Sequence, residues 1–324
     1  MRHAARASQD AYPSRRADLP QILRRRDPVV HGEWTREAPL TRDEAAQFDR
    51  DGFIVLRDLF EDREMEMLCD EATRLRTAPD GSLDPETVIA EPESGAVRSV
   101  FKVHRQSRLF GRLAADARLA SVAQFLLGDE VYVHQSRMNY KPGFQGKEFY
   151  WHSDFETWHV EDGMPRMRAL SMSLLLTANT PYNGPLMLIP GSHRHFVSCV
   201  GETPEEHYKK SLRAQEYGVP DDDSLTFLAT QGGMAAPTGP AGTVIVFDCN
   251  TMHGSASNIT PYPRSNAFIV YNAISNTLEA PFGPAVPRPD FIATRDAVVP
   301  VSPVCGTLLQ MAACKPEKEA DADD

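Results

Sequence analysis

Within FYWHSDFETWHVEDG (149–163), His152 and Asp154 set an imidazole and a carboxylate two positions apart. In an extended strand that spacing turns both side chains to one face. A second histidine from a distant strand would complete a 2-His-1-carboxylate triad, which holds Fe(II) on one side and leaves positions open for oxygen and a co-substrate. His253, in TVIVFDCNTMHGSASN after an apolar strand-like run, is the best-placed partner. The same three ligands also suit Zn²⁺.

Arg264 opens the strand-like run RSNAFIVYNA, where a guanidinium can make a two-pronged bond to a carboxylate, so an acid co-substrate is its natural guest. Gln135, Arg137, Asn139 and Lys141 alternate in QSRMNYK and share one face of a strand. Taken as continuing Val131 and Val133, that face points inward as a polar pocket; the plainer reading is a solvated face. Phe149, Trp151, Phe155 and Trp158 suit a core, but beside a metal an aromatic face also suits a delocalised cation, and Trp158 is the ring selected for that role. His193 and His195 form a second close pair, but one following a turn signal and lacking a carboxylate. His104, His134, His159 and His207 read as ordinary structural histidines.

These residues need strands to carry them. LTRDEAAQFDRDGFIVLRDLF predicts a helix started by Thr41 and Glu44, closed by Gly52 and followed by a strand over 53–56. Apolar spacing predicts a second helix over 61–76, a loop over 78–97 and a helical pair over 109–127. Strands are expected at 131–141, 149–154, 169–177, 186–189, 243–248 and 267–273, making the second half mostly antiparallel β. Residues 198–240 read as an insertion and candidate lid, 315–324 as a disordered acidic tail, and 1–36 as an arginine-rich arm lying along the surface.

Composition narrows the classes. The 324 residues, 41% hydrophobic and 24% charged, suit one large globular domain. A net charge of -11 excludes the basic footprint of a nucleic-acid binder. Five scattered cysteines without a CxxC pair argue against a disulfide framework and fit a reducing cytoplasm. No apolar run is long enough for a membrane span, and no secretory signal is evident, so a cytoplasmic location is expected.

The stretch FYWHSDFETWHVEDGMP resembles the signature of the ectoine hydroxylase family, within the phytanoyl-CoA dioxygenase-like superfamily. DAYPSR, DPVVHGEW, QSRMNYKPGFQGKEF, NTPYNGPLMLIPGSH and DCNTMHGSASNITPYPRSNAFIVYN extend the resemblance over roughly 11–295. It implies a mainly β fold with surrounding helices, built as one dioxygenase domain (1–324) on a double-stranded β-helix, or jelly-roll, core. It also implies that Fe(II), 2-oxoglutarate and O₂ convert ectoine to 5-hydroxyectoine with release of succinate and CO₂, in a homodimer.

By the same resemblance, His152, Asp154 and His253 are the iron ligands and catalytic centre. Lys141 and Arg264 hold 2-oxoglutarate with Asn139, Phe149 and Ser255, while Gln135, Trp158 and Arg137 meet ectoine. The carboxylate of Asp154 favours hydroxylation over halogenation. The rival readings are a hydroxylase of another small substrate, a zinc hydrolase or isomerase, in which Arg264 has no evident task, and a non-catalytic binding module, which leaves the three ligands unexplained.

Overall fold

The computed structural model describes residues 10–16, 19–79, 81–91, 95–204, 208 and 218–310. Its first strand is β1 (Gln21–Arg24). Helix α1 (Arg42–Asp51) begins with the reciprocal cap the sequence announces: the Glu44 amide donates to Thr41 Oγ1 (3.2 Å) and the Thr41 amide to Glu44 Oε2 (2.8 Å). Gly52, at φ +80°, turns the chain into β2 (Phe53–Leu56), where a Cβ would lie 2.4 Å from His193 Nδ1. Then follow α2 (Asp62–Arg76), β3 (Val88–Ala90), β4 (Val97–Phe101), α3 (Val103–Gln106), α4 (Arg108–Ala114) and α5 (Ala117–Leu127).

The β-rich remainder holds β5 (Val131–Lys141), β6 (Phe149–His152), α6 (Asp154–Thr157), a π-helical turn (Trp158–Asp162), β7 (Ala169–Leu175), β8 (Leu186–Leu188) and β9 (His195–Ser198). After a helix at Asp222–Gly232 come β10 (Val244–Asp248), β11 (His253–Ser255) and β12 (Arg264–Ala273).

A seven-stranded sheet runs β2-β10-β7-β12-β5-β4-β3, a three-stranded sheet β6-β11-β8, and β1 pairs β9; every pairing between strands is antiparallel. The large sheet is two-faced, as its period-2 pattern requires. Val244 and Val246, Leu170, Met172 and Leu174, and Ala267 and Ile269 point to a core shared with α1, α2, α4 and α5. On the other face Ile245, Phe247, Leu175 and Phe268 pack with Leu186 and Leu188 of the small sheet, so the two sheets face one another without closing into a barrel. This is the jelly-roll arrangement expected, with α1, α2, α4 and α5 packed on one face of the large sheet and the short α6 at the buried site.

Four local expectations need correction. The strand at 149 stops at His152, and Asp154 opens α6 instead of continuing the strand. Val131 and Val133 do not share a face with Gln135, Arg137, Asn139 and Lys141. Tyr271 pairs Val133 while Val270 pairs Gln135, so His134 is an extra residue that reverses the alternation, and the valines join Met138 and Tyr140 in the outer core. The loop over 78–97 contains β3, and β4 begins at its end. The N-terminal arm is not a surface strap: Tyr12 is fully buried, Arg15 is 7% exposed, and β1 pairs with β9.

Of 198–240, the described part contributes the end of β9 and the helix at Asp222–Gly232, while 209–217 and the 315–324 tail lie outside the described residues, as does His207. Among the described residues no helix is long and apolar enough to cross a membrane.

Candidate active site

His152 ends β6 and His253 begins β11, and the two residues are register partners. Asp154 reaches the same point from the start of α6: its Oδ1 lies 3.9 Å from His152 Nε2 and its Oδ2 3.8 Å from His253 Nε2. All three are buried, with their ligand atoms within 4.8 Å of one another. Each imidazole has its Nδ1 on a backbone carbonyl, His152 on Tyr150 (2.7 Å) and His253 on Thr251 (2.9 Å). A carbonyl only accepts, so Nδ1 carries the hydrogen and the Nε2 lone pair is left for a metal. Ser171 Oγ on β7 donates to Asp154 Oδ2 (3.2 Å), fixing the carboxylate from behind.

Electrostatics keep His152 and Asp154 in their metal-binding forms. Burial, with His253 beside it, pushes the His152 pKa down to about 4. Burial pushes Asp154 upward, but His253, His152 and Arg137 outweigh it and its carboxyl ends below its ordinary value. Two imidazoles with Nε2 turned inward and one carboxylate on one side of a pocket fit a divalent ion with remaining positions open.

Lys141 and Arg264, the end residues of β5 and β12, are register partners. Both are 3% exposed. Lys141 Nζ donates to Ser255 Oγ (2.9 Å) and to the Ala256 carbonyl (2.5 Å), and burial with Arg264 and Arg98 lowers its pKa to about 6. Arg264 has a buried Nε without a hydrogen-bond partner, and burial with Arg98 nearby brings its pKa down to about 10. No carboxylate among the described residues lies within ion-pair distance of it. A buried cation left so is costly to the free protein, and an anionic guest supplies the missing partner.

Beside His152 and Asp154 lies a cavity whose wall includes Ser99, Gln135, Arg137, Asn139, Phe149 and Trp158. Asn139 Oδ1 accepts from Ser99 Oγ (2.8 Å), and Gln135 Nε2 donates to the Ile292 carbonyl (2.8 Å). Arg98 covers one face of Phe149 at 4.0 Å, and Arg137 lies 5.1 Å from the Phe268 ring with its Nε unpartnered. Trp158, 3% exposed, meets His134 edge-on at 5.0 Å. Of the eleven site residues singled out in the sequence, ten belong to the triad, the cavity wall or the Lys141–Arg264 pair, and Ser255 is joined to them by its bond to Lys141.

The cavity also recruits residues that sequence reasoning passed over: Phe101, Thr157, Glu161, Tyr208 and Arg288. Arg288 sits in PFGPAVPRPDF, which has no periodicity to orient it, and Phe101 belongs to the unforeseen β4. His134, read as structural, is buried with neither ring nitrogen hydrogen-bonded, its Nε2 3.9 Å from Asp162 Oδ2, and its pKa driven to about 3 by burial and Arg288. The bulge that places it gives no sequence signal. His193 Nε2 instead meets the Asp49 carbonyl, and His159 meets Asp10 and Met164. His104 bonds Ser136. None of these three enters the triad.

Residues 48–266 match the family described as "Phytanoyl-CoA dioxygenase (PhyH)". The chain is 63% identical over 287 residues to the ectoine dioxygenase of Sphingopyxis alaskensis, covering 89% of this chain and 94% of that one. Crystal structures of EctD from S. alaskensis, one with bound Fe and one with 2-oxoglutarate and 5-hydroxyectoine, superpose with TM-scores of 0.84 and 0.85. Both are 57% identical and cover 93% of this chain and 100% of theirs. The chain belongs to the ectoine dioxygenases, within the phytanoyl-CoA dioxygenase family.

Proposed function

We propose that this protein is an Fe(II)- and 2-oxoglutarate-dependent dioxygenase that converts L-ectoine to 5-hydroxyectoine in compatible-solute biosynthesis, consuming O₂ and releasing succinate and CO₂. The observation that carries the reading is the triad itself: two imidazoles locked with Nε2 inward, facing one carboxylate, next to a buried arginine that lacks an anion. A zinc hydrolase would use the first feature and leave the second without a purpose.

In this reading His152, Asp154 and His253 hold the iron. Bound Fe(II) supplies oxygen activation at the expense of 2-oxoglutarate, and one oxygen atom goes to ectoine and the other to succinate. Everything else falls to the protein. Arg264 and Lys141 take the far carboxylate of 2-oxoglutarate, with Ser255 holding the lysine, and Asn139 and Phe149 wall the co-substrate between that end and the triad.

Gln135, Arg137 and Trp158 hold ectoine. The indole face suits the delocalised cationic amidine of the ring, and the arginine suits its carboxylate. The aromatic walls Phe101, Phe149 and Trp158 keep bulk water away while the reacting carbon is held in place, which decides whether hydroxylation outruns futile co-substrate consumption.

The reading further assigns a single domain over 1–324, working as a homodimer in the cytoplasm with neither nucleic-acid nor membrane partners. The charge of -11 and the lack of a membrane-length apolar helix among the described residues support the last part. Incubation with Fe(II), 2-oxoglutarate, ectoine and ¹⁸O₂ tests the function: label is expected in both 5-hydroxyectoine and succinate, and unlabelled, unchanged ectoine would overturn it.

A further inference from the structure

Arg15 is left over by the roles above, yet it is the most heavily engaged side chain beside the site. Its Nε and Nη2 grip both oxygens of Glu156 (3.0 and 2.7 Å), and its Nη1 meets Glu161 Oε1 (2.6 Å) and Thr203 Oγ1 (2.7 Å). The side chains of Arg15, Glu156 and Glu161 are 3%, 1% and 3% exposed. Ser14 Oγ adds a bond to Glu156 (2.6 Å), and Tyr12 packs edge-on against Phe155 at 5.3 Å. Arg15 holds a left-handed backbone (φ +58°), a strained conformation for a residue with a side chain. Gly218 closes over the group so tightly that a Cβ there would lie 2.6 Å from both Arg15 Nη2 and Glu156 Oε2.

The gripped carboxylates belong to the segment that makes one wall of the site. Asp154 opens α6, Thr157 and Trp158 line the cavity between Glu156 and Glu161, and Glu161 lines it too. Glu161 Oε2 also lies 3.4 Å from Nε of Arg288, another cavity residue, whose guanidinium is otherwise held by Asp162 at 2.8 and 2.5 Å. Three acids, Glu156, Glu161 and Asp162, therefore share two arginines. Removing Arg15 takes a buried counter-charge from Glu156 and Glu161, and Arg288, 3.4 Å from Glu161 Oε2, is placed to turn toward that carboxylate.

We propose that Arg15, from the N-terminal arm, is a positioning residue for the active site: it fixes the 154–162 segment and neutralises Glu161, so that Arg288 stays at the cavity wall. The inference rests on the proposed ectoine hydroxylation. It predicts that the arm tunes ectoine binding and the coupling of co-substrate use to product, more than metal binding.

The test compares wild type, Arg15→Ala, Arg15→Lys and Arg15→Ala/Glu161→Gln. Ectoine affinity is read by calorimetry on protein loaded with Ni²⁺ and 2-oxoglutarate, without turnover, and the succinate-to-hydroxyectoine ratio is read with Fe(II) in air. Arg15→Ala is expected to bind ectoine about 10- to 100-fold more weakly and to release succinate in excess of product. Arg15→Lys should fall between it and wild type. Arg15→Ala/Glu161→Gln should recover most of the lost affinity, which a merely destabilised fold would not do.

Wild-type affinity and coupling in Arg15→Ala, or a double variant no better than the single one, would overturn the proposal. If Arg15→Ala does not fold, Arg15→Lys against Arg15→Lys/Glu161→Gln carries the same comparison. If wild type neither binds nor hydroxylates ectoine, the functional reading fails, an outcome distinct from failure of the Arg15 role.

Discussion

His152 and His253 are register partners on adjacent strands, with ring centroids 4.3 Å apart, and each gives its Nδ1 hydrogen to the carbonyl two residues earlier in its own chain. One local geometry, used twice, sets both nitrogen ligands. The carboxylate comes from outside the sheet, from the first residue of α6, and Ser171 on β7 holds it in place.

That arrangement separates ligand from support. Asp154→Ala is expected to weaken Fe(II) binding by more than about 100-fold, and Ser171→Ala by only about 10-fold with the fold intact. Anaerobic titration with Fe(II) checks both, and equal losses would contradict the assigned roles.

Arg264 is buried without a carboxylate among the described residues, so removing its charge relieves the free protein and harms only the complex. Arg264→Met should leave the melting temperature without 2-oxoglutarate unchanged or higher, while raising the KM for 2-oxoglutarate about 100-fold. A thermal-denaturation series with and without co-substrate reads both effects.

Lys141 gives a signed pH dependence. Its folded pKa is about 6 against 10.5 for the free side chain, so between those values the unfolded chain binds the extra proton and stability rises with pH. Stability of the protein without 2-oxoglutarate should therefore climb from about pH 6 to about pH 10.5, and the climb should shrink in Lys141→Met. A bound carboxylate favours the charged lysine, so 2-oxoglutarate should be taken up with a proton near pH 8. Calorimetry in buffers of different ionisation heat measures that uptake.

Trp158→Leu should raise the KM for ectoine about 10-fold, and Trp158→Phe by less, with the KM for 2-oxoglutarate unchanged in both. Steady-state kinetics with each substrate varied in turn decides it. A matching rise for both substrates would place Trp158 in the general packing instead of against the ectoine cation.

The triad was readable from sequence because metal ligands must be particular residue types, and His152, Asp154 and His253 stand beside strand-like runs that fix where they point. The route by which two of them meet was not. The two-residue spacing suggested a shared strand face, whereas the strand ends at His152 and a helix start delivers Asp154. The bulge at His134 likewise contains neither glycine nor proline, and it sends Val131 and Val133 to the outer core while the polar residues after it line the cavity.

Arg15 looked like solvated surface because its partners, Glu156 and Glu161, lie more than 140 positions away, a pairing only the fold creates. Arg288 was hidden for the same reason. Charged residues reveal burial only through their partners, and partners distant in sequence leave no periodic trace.

The three ligands His152, Asp154 and His253 are expected to support oxygen transfer to ectoine. Wild type and Asp154→Ala, reconstituted with Fe(II) without oxygen and then given 2-oxoglutarate, ectoine and air, test it by succinate and by the mass of ectoine. Wild type is expected to yield equal amounts of succinate and of ectoine gaining one oxygen, and the variant neither product. Succinate without any change in ectoine would contradict the substrate, and no succinate from fully metallated wild type would contradict the oxygenase itself.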